Sequence, residues 1–116
     1  MQQELHWDDV LAVGYAAEQL FVAAQLLTSD VIPLEEAVST ACDRHIARLL
    51  EYRNQLPGGV AARLELCFRE CPADRALTHE QAEALSRRIL GILDELRSIL
   101  IDVAQSEDPG WLLNAA

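Results

Sequence analysis

Residues 8–29 read DDVLAVGYAAEQLFVAAQLLTS, and between Val10 and Leu27 the only polar side chains are Tyr15, Glu18, Gln19 and Gln25. A stripe at Val10, Val13, Ala17, Leu20/Phe21, Ala24 and Leu27 follows the i, i+3, i+4 spacing of a helix face. A second stripe, Leu11, Tyr15, Val22 and Leu26, runs along a neighbouring face. A helix apolar on nearly every side is buried on more than one side. This stretch is therefore expected to be the post around which the other helices pack, or half of a subunit interface. Gly14, Ala16, Ala17, Ala23 and Ala24 leave room for a second helix to come close.

The segment is about long enough to cross a bilayer at ~1.5 Å per residue. Glu18, Gln19 and Gln25 lie inside it and no basic flank orients it, so it reads as a buried helix with no membrane partner. The opening residues MQQELHWDD are acidic where an export signal is basic. With three cysteines, an odd number, this points to reduced thiols and a cytoplasmic location.

The rest of the chain is punctuated by turn residues. Pro33 with Glu35 and Glu36 opens a second helix, expected over 33–55. Its stripe is Leu34, Val38, Ala41, His45, Leu49, Tyr52 and Leu56, widened by Cys42, Ile46 and Leu50. Leu56-Pro57-Gly58-Gly59 is a loop, followed by a short helix over 60–70 that Pro72 ends. Within it, Glu65 and Arg69 are spaced to pair. Thr78-His79-Glu80-Gln81 fits a capping box, opening a helix expected over 79–105. Its seam, Ala82, Leu85, Ile89, Ile92, Leu96, Ile99 and Val103, holds a heptad pattern. Residues 111–116 form a short apolar tail that begins with Trp111 and Leu112. No stretch alternates as a half-buried strand does. The expected fold is a single all-α domain over residues 1–116. It is an up-down helical bundle of three long helices and one short one, dimerising through the apolar first helix.

Cysteine and histidine supply the only candidates for chemistry. Cys67 and Cys71 share a face of the third helix, and with Cys42 or His45 they are the weak candidates for a soft-metal site. Buried free cysteine is common, so packing is the favoured role and no metal or other cofactor is expected. The sequence has no glycine-rich phosphate loop, no Cys-x-x-Cys and no His-Glu-x-x-His. All nine basic residues are arginine, which removes lysine chemistry. The net charge of −10 opposes binding to nucleic acid, and the arginines are interleaved with acids.

These observations exclude more than they assign. The expected function is a non-enzymatic protein–protein interaction module, acting as a small accessory, adaptor or regulatory protein. Its partners would be a second copy of the chain and a protein with a basic surface. Interface candidates are Trp7, Leu11, Tyr15, Val22, Leu26, Trp111 and Leu112. Two alternatives are an acidic inhibitor or antitoxin-like protein that neutralises a basic effector, for which nucleic-acid mimicry is one mode, and a small-molecule or metal-binding helical bundle.

Overall fold

The computed structural model describes residues 7–107. Among these residues the chain forms four helices and no strand. Helix α1 is Trp7–Leu26 and α3 is Gly58–Glu70, while α4 is His79–Glu107. Helix α2, residues 34–50, joins α-helical Leu34–Ser39, a π-helical stretch Thr40–Ile46, and α-helical Ala47–Leu50. Trp111 and Leu112, with the rest of the apolar tail, lie outside the described residues.

Local chemistry sets the helix ends. Helix α1 stops short of the expected Ser29 because the chain tightens into three-residue turns. The N–H groups of Leu27, Thr28 and Ser29 bond to the carbonyls of Ala24, Gln25 and Leu26, each at 3.3 Å. The Thr28 and Ser29 hydroxyls donate to the Gln25 and Leu26 carbonyls, satisfying helix-end acceptors. Asp30 then takes a left-handed backbone, φ 60°. Helix α2 ends at Leu50 rather than near Gln55, again through tight turns from Glu51 to Leu56. Helix α3 starts at Gly58, because Pro57 stands at the N-cap with its carbonyl accepting from Val60 and Ala61. It ends where Cys71 turns extended, φ −73° and ψ 137°, ahead of Pro72. At α4 the capping box is complete: Gln81 N–H donates to Thr78 Oγ1 at 3.1 Å, and Thr78 N–H donates to Gln81 Oε1 at 2.9 Å.

Side-chain pairs between helices reveal their directions. Ser86 Oγ donates to the Ala24 carbonyl at 2.8 Å, and Arg97 meets Glu18 at 3.3 Å, so α4 runs antiparallel to α1. Arg88 pairs with Glu70 at 3.0 Å and Arg63 pairs with Glu95, so α4 is antiparallel to α3 as well. The third helix departs from the expected Glu65–Arg69 pair: Glu65 instead reaches Arg53 beyond α2, at 3.7 Å.

The core lies between α1 and its neighbours. Val13, Leu20, Val38, Ile46, Leu49, Leu64, Ile89 and Leu96 are fully buried. The α4 seam from Ala82 to Leu96 is buried as its spacing predicts, and Ile99 and Val103 pack at its edge. Ser86 is the one buried polar residue described, and its hydroxyl is satisfied. No helix among the described residues is long and apolar enough to cross a membrane.

Two substitutions separate core from cap. Leu96→Ala removes a fully buried side chain and is expected to cost about 2–5 kcal/mol. Thr78→Ala removes the cap and is expected to cost about 1 kcal/mol. Urea unfolding followed by circular dichroism checks both values.

Candidate functional site

Among the described residues, two places gather side chains that simple packing does not account for. One is the outer face of α1. The other is where α2 meets the end of α3.

Of the inner stripe of α1, Val10, Val13, Leu20, Ala24 and Leu27 are buried, joined by Ala16 and Ala23, while Ala17 and Phe21 are half-buried at its edge; the neighbouring stripe is not buried. Leu11 is 58 % exposed, Tyr15 70 % and Val22 53 %, while Leu26 is half-buried. Trp7 opens the helix, but its side chain lies outside the described residues. These side chains form a ridge between two grooves. On the α4 side, Val10, Gly14, Ala17, Phe21, Arg97 and Leu100 line an apolar groove of about 290 Å³. The position a Gly14 Cβ would take has nothing within 4 Å, so the groove floor is open there. On the α2 side, Tyr15, Gln19, Arg44, His45, Arg48 and Tyr52 line a groove of about 450 Å³.

His45 is therefore not on the core stripe where a regular helix would put it. The π-helical stretch changes the register. The Ala47 N–H reaches back to the Cys42 carbonyl, five residues earlier. Ala41 and Ile46, also five apart, are both fully buried. Ile46 takes the inward position, and His45 moves out to the rim of the groove. Partial burial and the neighbouring Arg44 charge hold the His45 pKa below its ordinary value. Arg44 makes no ion pair among the described residues, whereas Arg48 pairs with Glu51 at 3.0 Å.

The structure also divides the weak metal candidates. Cys42 Sγ and Cys71 Sγ stand 3.3 Å apart. Cys71 Sγ also lies 3.4 Å from the Cys67 carbonyl oxygen, to which its thiol form donates. Cys67 itself is buried, and burial pushes its thiol pKa up. His45 is not part of this group. Among the described residues no cluster of three or more His, Cys, Asp or Glu side chains is arranged to hold a metal ion.

Beside the cysteine pair sits Arg75, which sequence reasoning passed over. Its backbone is left-handed, φ 59°, and its guanidinium forks onto Asp43. Nε donates to Oδ2 at 3.1 Å and Nη2 donates to Oδ1 at 2.5 Å. Nη1 donates to the Pro72 carbonyl, and the group lies over the Phe68 ring, 5.1 Å from its centroid. Asp43 also accepts from Ser39 Oγ at 3.1 Å. The Arg75 fork holds the Asp43 carboxyl below its ordinary pKa, with Ser39 adding to the effect. No spacing rule links residues 32 apart, so only the fold brings Asp43 and Arg75 together.

Comparisons with protein-family models, curated proteins and solved structures found no match.

The Asp43–Arg75 clamp has a pH signature. A carboxyl with a depressed folded pKa stabilises the fold above its unfolded value and loses that contribution as pH falls through the folded one. Asp43→Ala is expected to lower stability at pH 7 by about 1 kcal/mol, since solvent screens a partly exposed pair. The gap from wild type should close as pH drops from about 4, the ordinary aspartate range, through the lower folded value. Urea titrations at a series of pH values read it directly.

Proposed function

We propose that the protein is a non-enzymatic interaction module that pairs with a second copy of itself through the outer face of α1. The observation that carries this reading is the exposure of Leu11, Tyr15 and Val22 on one ridge of the helix. Burying a Leu-sized side chain contributes roughly 1.5–3 kcal/mol, and a symmetric pair buries each of these three twice. The ridge stands between two grooves, so the ridge of one copy fits a groove of the other, as packed helices interlock. At about 1.5 Å per residue α1 is roughly 30 Å long, enough for a standard interface.

The charges around the face suit a like partner. Arg44 and Arg48 border the ridge on one side, and Glu18, which meets Arg97 within the chain, stands on the other. A two-fold arrangement can set the basic edge of one copy against the acidic groups of the other. A basic partner protein remains part of the proposal, because the whole chain carries a net charge of −10. The nucleic-acid mimic gains nothing from the fold: acidic residues stand on all four helices rather than on one.

Light scattering after size exclusion tests the proposal. Wild type is expected at the mass of a dimer at micromolar concentration, and Leu11→Glu with Val22→Glu at that of a monomer with unchanged helicity. A wild-type monomer up to millimolar concentration would sink the self-association reading.

A further inference from the structure

We infer that Cys42 and Cys71 form a hydroperoxide-sensitive dithiol, a modification site in which Cys71 is oxidised first and Cys42 closes an intramolecular disulfide. This stands apart from the α1 face and uses none of its residues.

Position comes first. The two sulfurs are 3.3 Å apart, already in contact, and a disulfide needs ~2.05 Å. Closing the gap takes a movement of about 1 Å, far less than the span that defeats most cysteine pairs. The movement is available on one side. Cys42 is fully buried in the π-helical stretch, whereas Cys71 is half-buried and has left the helix for an extended backbone. The Arg75 fork onto Asp43, the residue after Cys42, and its bond to the Pro72 carbonyl, the residue after Cys71, fasten the two strands of chain together.

Reactivity is also divided between the two. Either sulfur can donate in this contact; Cys71 is the more exposed of the two and has the Arg75 charge nearby, so the negative form falls on Cys71 with the Cys42 thiol as its donor. The Cys71 pKa is lowered to about 7: the Cys42 hydrogen bond is the largest cause and Arg75 adds to it, against burial and the Asp43 and Glu70 charges, which push the other way. The Cys42 pKa moves up through the same hydrogen bond and through burial. Thiolate, not thiol, is the nucleophile, so Cys71 attacks and Cys42 resolves.

The chemistry balances with an alkyl or hydrogen hydroperoxide as oxidant. The Cys71 thiolate attacks one peroxide oxygen and the O–O bond breaks. This gives a sulfenic acid and an alkoxide or hydroxide, which takes a proton from water. Cys42 then loses its proton to solvent base and attacks the Cys71 sulfur. The S–S bond forms, the S–O bond breaks, and hydroxide leaves to become water. Two thiols are oxidised by two electrons, and the hydroperoxide is reduced to an alcohol (water, when it is hydrogen peroxide) and water.

The test is a titration of the reduced full chain with hydrogen peroxide, read by thiol counting and by mass spectrometry. Arginine-specific cleavage places the three cysteines in separate peptides, since Arg44, Arg63, Arg69 and Arg75 fall around them. The expected result is a loss of two hydrogens from the monomer, a fall from three free thiols to one, and a Cys42–Cys71 cross-linked peptide with Cys67 free. Dithiothreitol should reverse it. The rate should rise with pH with a midpoint near 7. In Cys42→Ser, checked for retained helicity, a diketone probe should trap sulfenic acid at Cys71, and Cys67→Ser should leave the reaction unchanged. Three free thiols persisting in excess peroxide would overturn the inference. So would oxidation directed to Cys67, or disulfides found only between chains. The wild-type readout stands even if a cysteine variant fails to fold.

Discussion

The burial of α1 is the constraint on which the rest of the structure depends. Its inner stripe lies against both α2 and α4, and Val13 and Leu20 have no contact with water. A 20-residue helix with this little polarity has no stable place in water by itself. The ion pairs that link neighbouring helices, Glu18–Arg97, Glu70–Arg88 and Arg63–Glu95, sit at exposed edges. Such pairs contribute at most about 1 kcal/mol each. They select antiparallel register among alternatives that apolar burial alone would leave close in energy. The Ser86 hydroxyl does the same from inside, fixing α4 against the Ala24 carbonyl where no water competes.

What was legible in the sequence is what depends on near neighbours. The capping box at Thr78 and Gln81 formed as the spacing predicts, because both partners lie within one turn. The seam of α4 and most of the inner stripe of α1 followed from helical period, and Pro72 marked where α3 ends; its start was expected at Val60, but Gly58 and Gly59, read as loop, are already helical behind the Pro57 cap. Glu83 and Arg87, four residues apart on α4, pair at 3.8 Å as helix spacing allows. Glu65 shows the limit of such rules. Its neighbour Arg69 was available, yet Arg53 from the α2–α3 connection took it. A pair four residues apart is worth only a few tenths of a kcal/mol, too little to resist a tertiary competitor.

The candidate sites were only half legible, for the same reason. The exposed ridge of Leu11, Tyr15 and Val22 could be listed from the helix wheel, because an apolar face wider than one neighbour can cover shows in the sequence. Whether it faces water depends on where α2 and α4 come to rest. The Cys42–Cys71 contact and the Arg75–Asp43 fork cross 29 and 32 residues of chain. Cys67 and Cys71 looked like the natural pair at i, i+4, but Pro72 pulls Cys71 off the helix, so its sulfur turns toward α2 instead.

One backbone irregularity connects the two places. A regular α-helix through residues 40–46 would carry His45 into the core stripe. The wider π turn brings Ile46 inward and leaves His45 at the rim of the groove beside Tyr15. The same turn holds Cys42 fully buried and Asp43 at the surface, within reach of Arg75. A π turn is rare inside an α-helix, so it persists where packing over-determines it. Here Ala41, Cys42 and Ile46 are buried on the inside, and Ser39 and Arg75 both bond Asp43 on the outside. A change that lets this stretch return to a regular α-helix would therefore disturb both faces together: the inward residue would rotate, and with it the histidine rim and the cysteine contact. The two surfaces are separate in chemistry but share one backbone support.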